Sequence, residues 1–149
     1  MNYWEAFARL KSVQDELEAA RFSVGATSRA ARADVTVLAE PIKPTPLRDC
    51  ASNLELTYLL RLFAEFEAVV RDFWASARPS RRRRRTRMEV LMNRVAIECR
   101  IPADVLQKAH EVREYRNAAV HDRDRSGEFN FRACKSRLGF FLSYLPRRW

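Results

Sequence analysis

Residues 54–77 read LELTYLLRLFAEFEAVVRDFWASA, and this stretch decides the fold. Leu54, Tyr58, Leu59, Leu62, Phe63, Phe66, Val70, Phe73 and Trp74 recur at steps of one, three and four, which is helical spacing. At about 100° per residue they cover an apolar arc of roughly 200°, too wide for a helix lying on a surface. The expectation is a central helix covered by several neighbours. Ser52, with Glu55 three residues on, forms a capping box at its start. Pro79 stops it.

Upstream, Tyr3, Phe7, Leu10 and Leu17 place a first helix over residues 3–22, and Asn2 with Glu5 forms a cap for it. Residues 25–48 read as an irregular connector, because Pro41, Pro44 and Pro46 exclude a helix interior. Downstream, Thr86 and Glu89 form another capping box, opening a helix through Met88, Leu91 and Val95 to about Glu98. Pro102 suits the first turn of a fourth helix, ADVLQKAHEVREYRNAAVHD. A polar turn, DRDRSGE, leads to a fifth helix over residues 130–145, with Cys134, Leu138, Phe141 and Leu145 on one stripe. The fold class is therefore all-α, a four- to five-helix bundle forming a single domain over residues 1–149.

Composition narrows the function classes. With only 3 Gly and 6 Pro in 149 residues, a many-turned β-sandwich or barrel is excluded. No run approaches the ~20 apolar residues of a membrane span, and the N-terminus lacks a signal-peptide core. The expectation is a soluble cytoplasmic chain with no membrane partner. Cys50, Cys99 and Cys134 lie far apart with no CxxC pair, so neither a disulfide framework nor a metal site is expected, and nothing in the sequence calls for a cofactor.

The net charge of +9 is local. The loop at 78–87, RPSRRRRRTR, holds seven arginines and no acid, and without them the balance is +2. Such a run reads as a solvated loop, a nuclear-localisation-like signal or a contact for phosphate. The third reading is preferred here, with Arg81, Arg82, Arg83, Arg84 and Arg85 binding RNA. Trp4, Trp74 and the phenylalanines sit on apolar helix stripes, and so are expected in the core or a dimer interface rather than as a platform for bases.

On the fourth helix Val105, Ala109, Val112, Ala119 and Val120 form an inner face, while His110, Glu114, Asn117 and His121 line another. Arg116 projects from the middle of the apolar face, where an unpaired guanidinium is costly to desolvate. Glu67 on the central helix is the preferred partner and Glu65 the second. A structural salt bridge and a phosphate-binding role both fit Arg116. For His121 the alternative is a cation complementing the helix dipole; for His110 it is a solvated helix residue.

The segment Tyr115-Arg116-Asn117-Ala118-Ala119-Val120-His121 resembles the Arg, four-residue spacer, His motif of the HEPN superfamily, in which Asn directly after the Arg is common. The order of elements from about residue 50 to 145 is similar as well: a long aromatic helix, a shorter one, the motif helix and a closing helix. The resemblance implies a metal-independent endoribonuclease working as a homodimer, with Arg116 and His121 catalytic and Asn117 assisting. It also implies a defence or toxin effector, with an antitoxin or regulatory protein as a further partner. Other members are non-catalytic RNA-binding or protein-interaction modules, and that reading stays open. One subgroup of toxins has Tyr two residues after the His; Arg123 stands there in this chain, so modification of such a tyrosine is not expected.

The chemistry agrees with these roles. A base that titrates near neutrality is needed to activate a 2′-hydroxyl, and His is that side chain. A planar Arg fork can bind two phosphorane oxygens at once. Leaving-group protonation needs a second acid. His110 is eleven residues from His121, roughly 16 Å along a helix axis, so the acid is expected from a second copy.

Overall fold

The computed structural model describes residues 2–38, 43–78, 86–121 and 130–149, with the backbone alone at His121. Among them it holds five α-helices: α1 (Tyr3–Ala33), α2 (Pro44–Ala77), α3 (Met88–Glu98), α4 (Ala103–His121) and α5 (Phe131–Leu142), with a 3-10 turn at Val35–Val37. The all-α expectation holds. α2 packs against each of the other four helices, and Leu59, Leu62, Phe63, Phe66, Val69, Val70 and Phe73 are buried along it. The same core takes Leu10, Val13 and Leu17 from α1 and Cys134, Leu138, Phe141 and Leu145 from the closing segment.

Two starts match their local signals and two do not. Asn2 accepts from the Glu5 backbone N–H while Glu5 accepts from Asn2, a complete capping box. Asn130 caps α5 by accepting from the Ala133 N–H. Ser52 and Glu55, by contrast, lie inside α2. The Ser52 hydroxyl donates to the Arg48 carbonyl, and Glu55 accepts from Arg21 and from the Phe131 N–H at 2.7 Å. At α3 the cap residue is Arg87, whose side chain has no acceptor and makes no cap bond, and Glu89 faces Arg113 on α4 at 3.6 Å.

The first two helices are longer than the spacing predicts. Gly25 does not end α1; Ala26, Ala30, Ala31 and Ala33 carry it on to Ala33. Pro44 and Pro46 fall in the first turn of α2, where a missing N–H breaks no helical bond. The connector is therefore much shorter than residues 25–48. Beyond Leu17 in α1 and before Leu59 in α2 no residue is buried, so the two helices run on together as an arm. Among the described residues no helix is long and apolar enough to cross a membrane.

α3 turns into α4 through Arg100, which has φ of 53°. The Ile101 N–H reaches back to the Ala96 carbonyl at 2.9 Å, so a left-handed residue closes the helix end. The C-terminal segment folds onto the start of α1. The Tyr3 N–H donates to the Arg147 carbonyl at 3.1 Å, and Trp149 stands edge-on to Phe73 with ring centroids 5.6 Å apart.

Candidate functional site

α4 begins after Pro102 with Asp104 in its first turn, where an acid complements the helix dipole. Val105, Ala109, Val112 and Ala119 face the core as expected. Val120 does not: it is 51% exposed.

Arg116 lies one turn beyond Val112 on the core-facing side and is half-buried. Its guanidinium carbon stands 5.8 Å from the Phe63 ring centroid, within cation–π range. Its Nη1 donates to Asn117 Oδ1 at 2.9 Å. Its Nε is closed to solvent and has no hydrogen-bond partner. Among the described residues no carboxylate pairs with Arg116.

The expected partner, Glu67, is engaged elsewhere. Arg71 Nε and Nη2 both donate to Glu67 Oε1, at 2.8 and 2.6 Å, and Arg71 Nη1 donates to the Thr86 carbonyl. An i,i+4 pair on one helix forms with little loss of freedom, and it outcompetes a partner on another helix. Glu65 faces Arg9 at 3.9 Å. The assignment of Glu67 to Arg116 is thus corrected.

Arg116 and Asn117 come together. His121 is the last residue of α4, about 7.5 Å from Arg116 along the axis. The His121 side chain, Arg123 and Arg81 to Arg85 lie outside the described residues. His110 is not a solvated residue. One ring nitrogen, Nε2, meets Asn93 Oδ1 at 2.8 Å, and the other, Nδ1, is buried without a partner. Burial, helped by the Arg113 cation, pushes the His110 pKa below its ordinary value against the opposing pull of Glu89 and Glu114.

Two neighbours escaped the sequence reading. Phe63 beneath Arg116 carried only a core signal. Arg113 is an internal cation of α4 between Glu89 and Glu114, with Nε unpartnered. Among the described residues, three buried side-chain polar atoms of α4 have no hydrogen-bond partner: His110 Nδ1, Arg113 Nε and Arg116 Nε. Such atoms are uncommon in folded proteins, and the two arginine Nε among them are donors short of an acceptor.

Among the described residues no group of three or more His, Cys, Asp or Glu side chains is placed to hold a metal ion. What the arrangement can do is bind an anion. With Nε closed to solvent, Nη2 is the donor of the Arg116 fork left for an oxygen from outside. Nη1 is tied back by Asn117, which holds the plane of the fork. Comparison with protein-family models, with curated proteins and with solved structures finds no match.

Proposed function

We propose that this chain is a metal-independent endoribonuclease of the HEPN type. The observation that carries the reading is the state of Arg116: half-buried, oriented by Asn117 and without a carboxylate among the described residues. An enclosed donor such as its Nε normally has an acceptor from the protein. A fork that lacks a carboxylate is suited to a ligand anion at its open end, and the motif residues around it make that anion a phosphate.

In this reading His121 takes the proton of a 2′-hydroxyl. O2′ attacks the neighbouring phosphorus, the bond from phosphorus to O5′ breaks, and a 2′,3′-cyclic phosphate remains. Arg116 holds the non-bridging oxygens as charge builds on them. O5′ departs with a proton from the His121 of a second copy. His110 is a poor source for it, being bonded to Asn93 and held below its usual pKa by burial. Arg81 to Arg85 add affinity for the RNA backbone. A role as a defence or toxin effector with an antitoxin partner rests on the resemblance alone.

The test is cleavage of a mixed RNA pool by the purified chain, with and without chelator. Cutting should persist in chelator, leave cyclic phosphate ends and vanish in His121→Ala. Binding without cutting, or full activity in His121→Ala, replaces this reading with a non-catalytic RNA-binding or protein-interaction module.

A further inference from the structure

α1 and α5 pack antiparallel, and between them runs a cleft of about 520 Å³. Its two ends differ. At one end Lys135 Nζ donates to Gln14 Oε1, with Arg132 exposed one turn before it. Among the described residues neither cation meets a carboxylate. Asp15 and Glu18, the acids on that stretch of α1, are engaged by Lys11 and by Gln14 Nε2.

The other end is aromatic. The Tyr3 and Phe7 rings lie 4.6 Å apart, and Phe140 is 62% exposed across from them. The sequence places the phenylalanines in the core or a dimer interface and not in a platform for bases; Phe140 lies off the stripe that Leu138 and Phe141 bury. Two more exposed cations, Arg147 and Arg148, follow at this end, where the chain pairs with Asn2 and Tyr3. Glu5, the acid there, is folded onto its cap.

Gly139 keeps the wall between the two ends open. A Cβ there would stand 3.5 Å from Phe7 Cε1, an ordinary contact, so packing does not demand glycine at a position where it weakens the helix. The cationic end also has a definite relation to the motif. Glu111 of α4 pairs with Arg137 of α5 at 2.6 Å. The two helices run antiparallel, so in this register Arg132 comes level with Arg116.

A flat ring joined to anionic groups is the chemistry that fits unpaired cations beside exposed aromatic faces. We propose that this cleft binds a single-stranded RNA segment, a base stacking on Phe140 and Tyr3 while Arg132 and Lys135 take phosphates on the side level with Arg116. The proposal depends on the ribonuclease reading for the identity of the strand, and not for the chemistry of the cleft.

The test is titration of the full chain carrying His121→Ala, which leaves the strand uncut, with a short single-stranded RNA containing 2-aminopurine. Binding should quench the fluorescent base as it stacks. Phe140→Ala, at an exposed position, should weaken binding about tenfold and remove most of the quench. Gly139→Leu, filling the cleft from its wall, should do at least as much. Changing Arg132 and Lys135 together to Ser should lower the slope of log K against log salt by about 1.4, for two phosphates. If the parent binds and none of these substitutions alters affinity, quench or slope, the cleft proposal is overturned and the ribonuclease reading stands. If Phe140→Ala instead dissolves a dimer and leaves RNA binding intact, a second copy occupies the cleft, and the proposal is again overturned. If the parent binds no RNA, the cleft proposal falls; cleavage by the chain with His121 intact, measured separately, judges the ribonuclease reading.

Discussion

Arg71 on the central helix and Arg116 on α4 beside it are both half-buried, and they are treated in opposite ways. Arg71 spends its donors on Glu67 and on the Thr86 carbonyl. Arg116 has Asn117, the face of Phe63 and a buried Nε with nothing to bind. The first cation is answered by its own protein and ties α2 to the chain before α3. The second carries a buried donor with no acceptor, which costs the protein stability; in the proposed reading the open end of its fork serves an anion.

The contrast is broken most sharply by removing each side chain. Arg116→Ala should reduce RNA cleavage by about 100- to 1000-fold, the usual loss when one donor to a developing oxyanion is deleted. Its unfolding free energy should move by less than about 1 kcal/mol, because no acid is left unpaired and the Nε penalty disappears with the side chain. A large fall in stability with cleavage intact would make Arg116 the structural member of the pair.

Glu67→Ala should show the reverse. Denaturant unfolding should report a loss of about 1–3 kcal/mol as the half-buried Arg71 loses its acceptor, while cleavage per folded molecule stays near that of the parent. Should Glu67→Ala instead abolish cleavage at unchanged stability, the two arginines do not divide structure from function.

Arg100 offers a third arginine, in which backbone rather than charge matters. Its φ of 53° disfavours any side chain with a Cβ. Arg100→Gly should raise stability by up to about 1 kcal/mol, partly offset by the freer unfolded chain, and Arg100→Val should lower it. Equal melting temperatures for the two would show that the turn relaxes.

The smallest effect belongs to His110, which lies between the two cases with one ring nitrogen bonded and the other orphaned. Its pKa is lowered from 6.5 by burial, so the unfolded chain takes up the proton first. Its contribution is therefore complete above pH 6.5 and is lost as pH falls from there through the folded pKa. Urea midpoints at pH 7.5 and 5.5 should differ less in His110→Gln than in the parent. An equal difference would assign the acid sensitivity to other groups.

The parts of the fold legible in the sequence are those where one apolar stripe meets one core. Leu59 to Phe73 and Cys134 to Leu145 satisfy that condition, and so does the Asn2 and Glu5 cap, whose two halves are three residues apart. Ser52 with Glu55 and Thr86 with Glu89 show the same spacing without the outcome. Glu55 and Glu89 have partners on other elements, invisible to a local pattern. The extension of α1 past Phe22 was hidden because alanine supports a helix without producing a stripe. At the site, Arg116 on an apolar face was legible as an anomaly. Its pairing was not, since the competition between Arg71 and Arg116 for Glu67 depends on how α2 and α4 sit together, although the Glu67 and Arg71 spacing was there to be read.

α2 is one continuous helix of 34 residues, yet burial begins only at Leu59. Amide hydrogens from Leu59 to Phe73 can exchange with solvent only when the bundle opens. Those from the first half lie where no residue is buried and should exchange through a smaller opening that leaves the core intact. A single rod would then carry a step in protection along its length, near Tyr58 and Leu59. Mass spectrometry of deuterium uptake would find two kinetic populations of peptides within one uninterrupted element, the slow one marking the part of the molecule on which the motif helix rests.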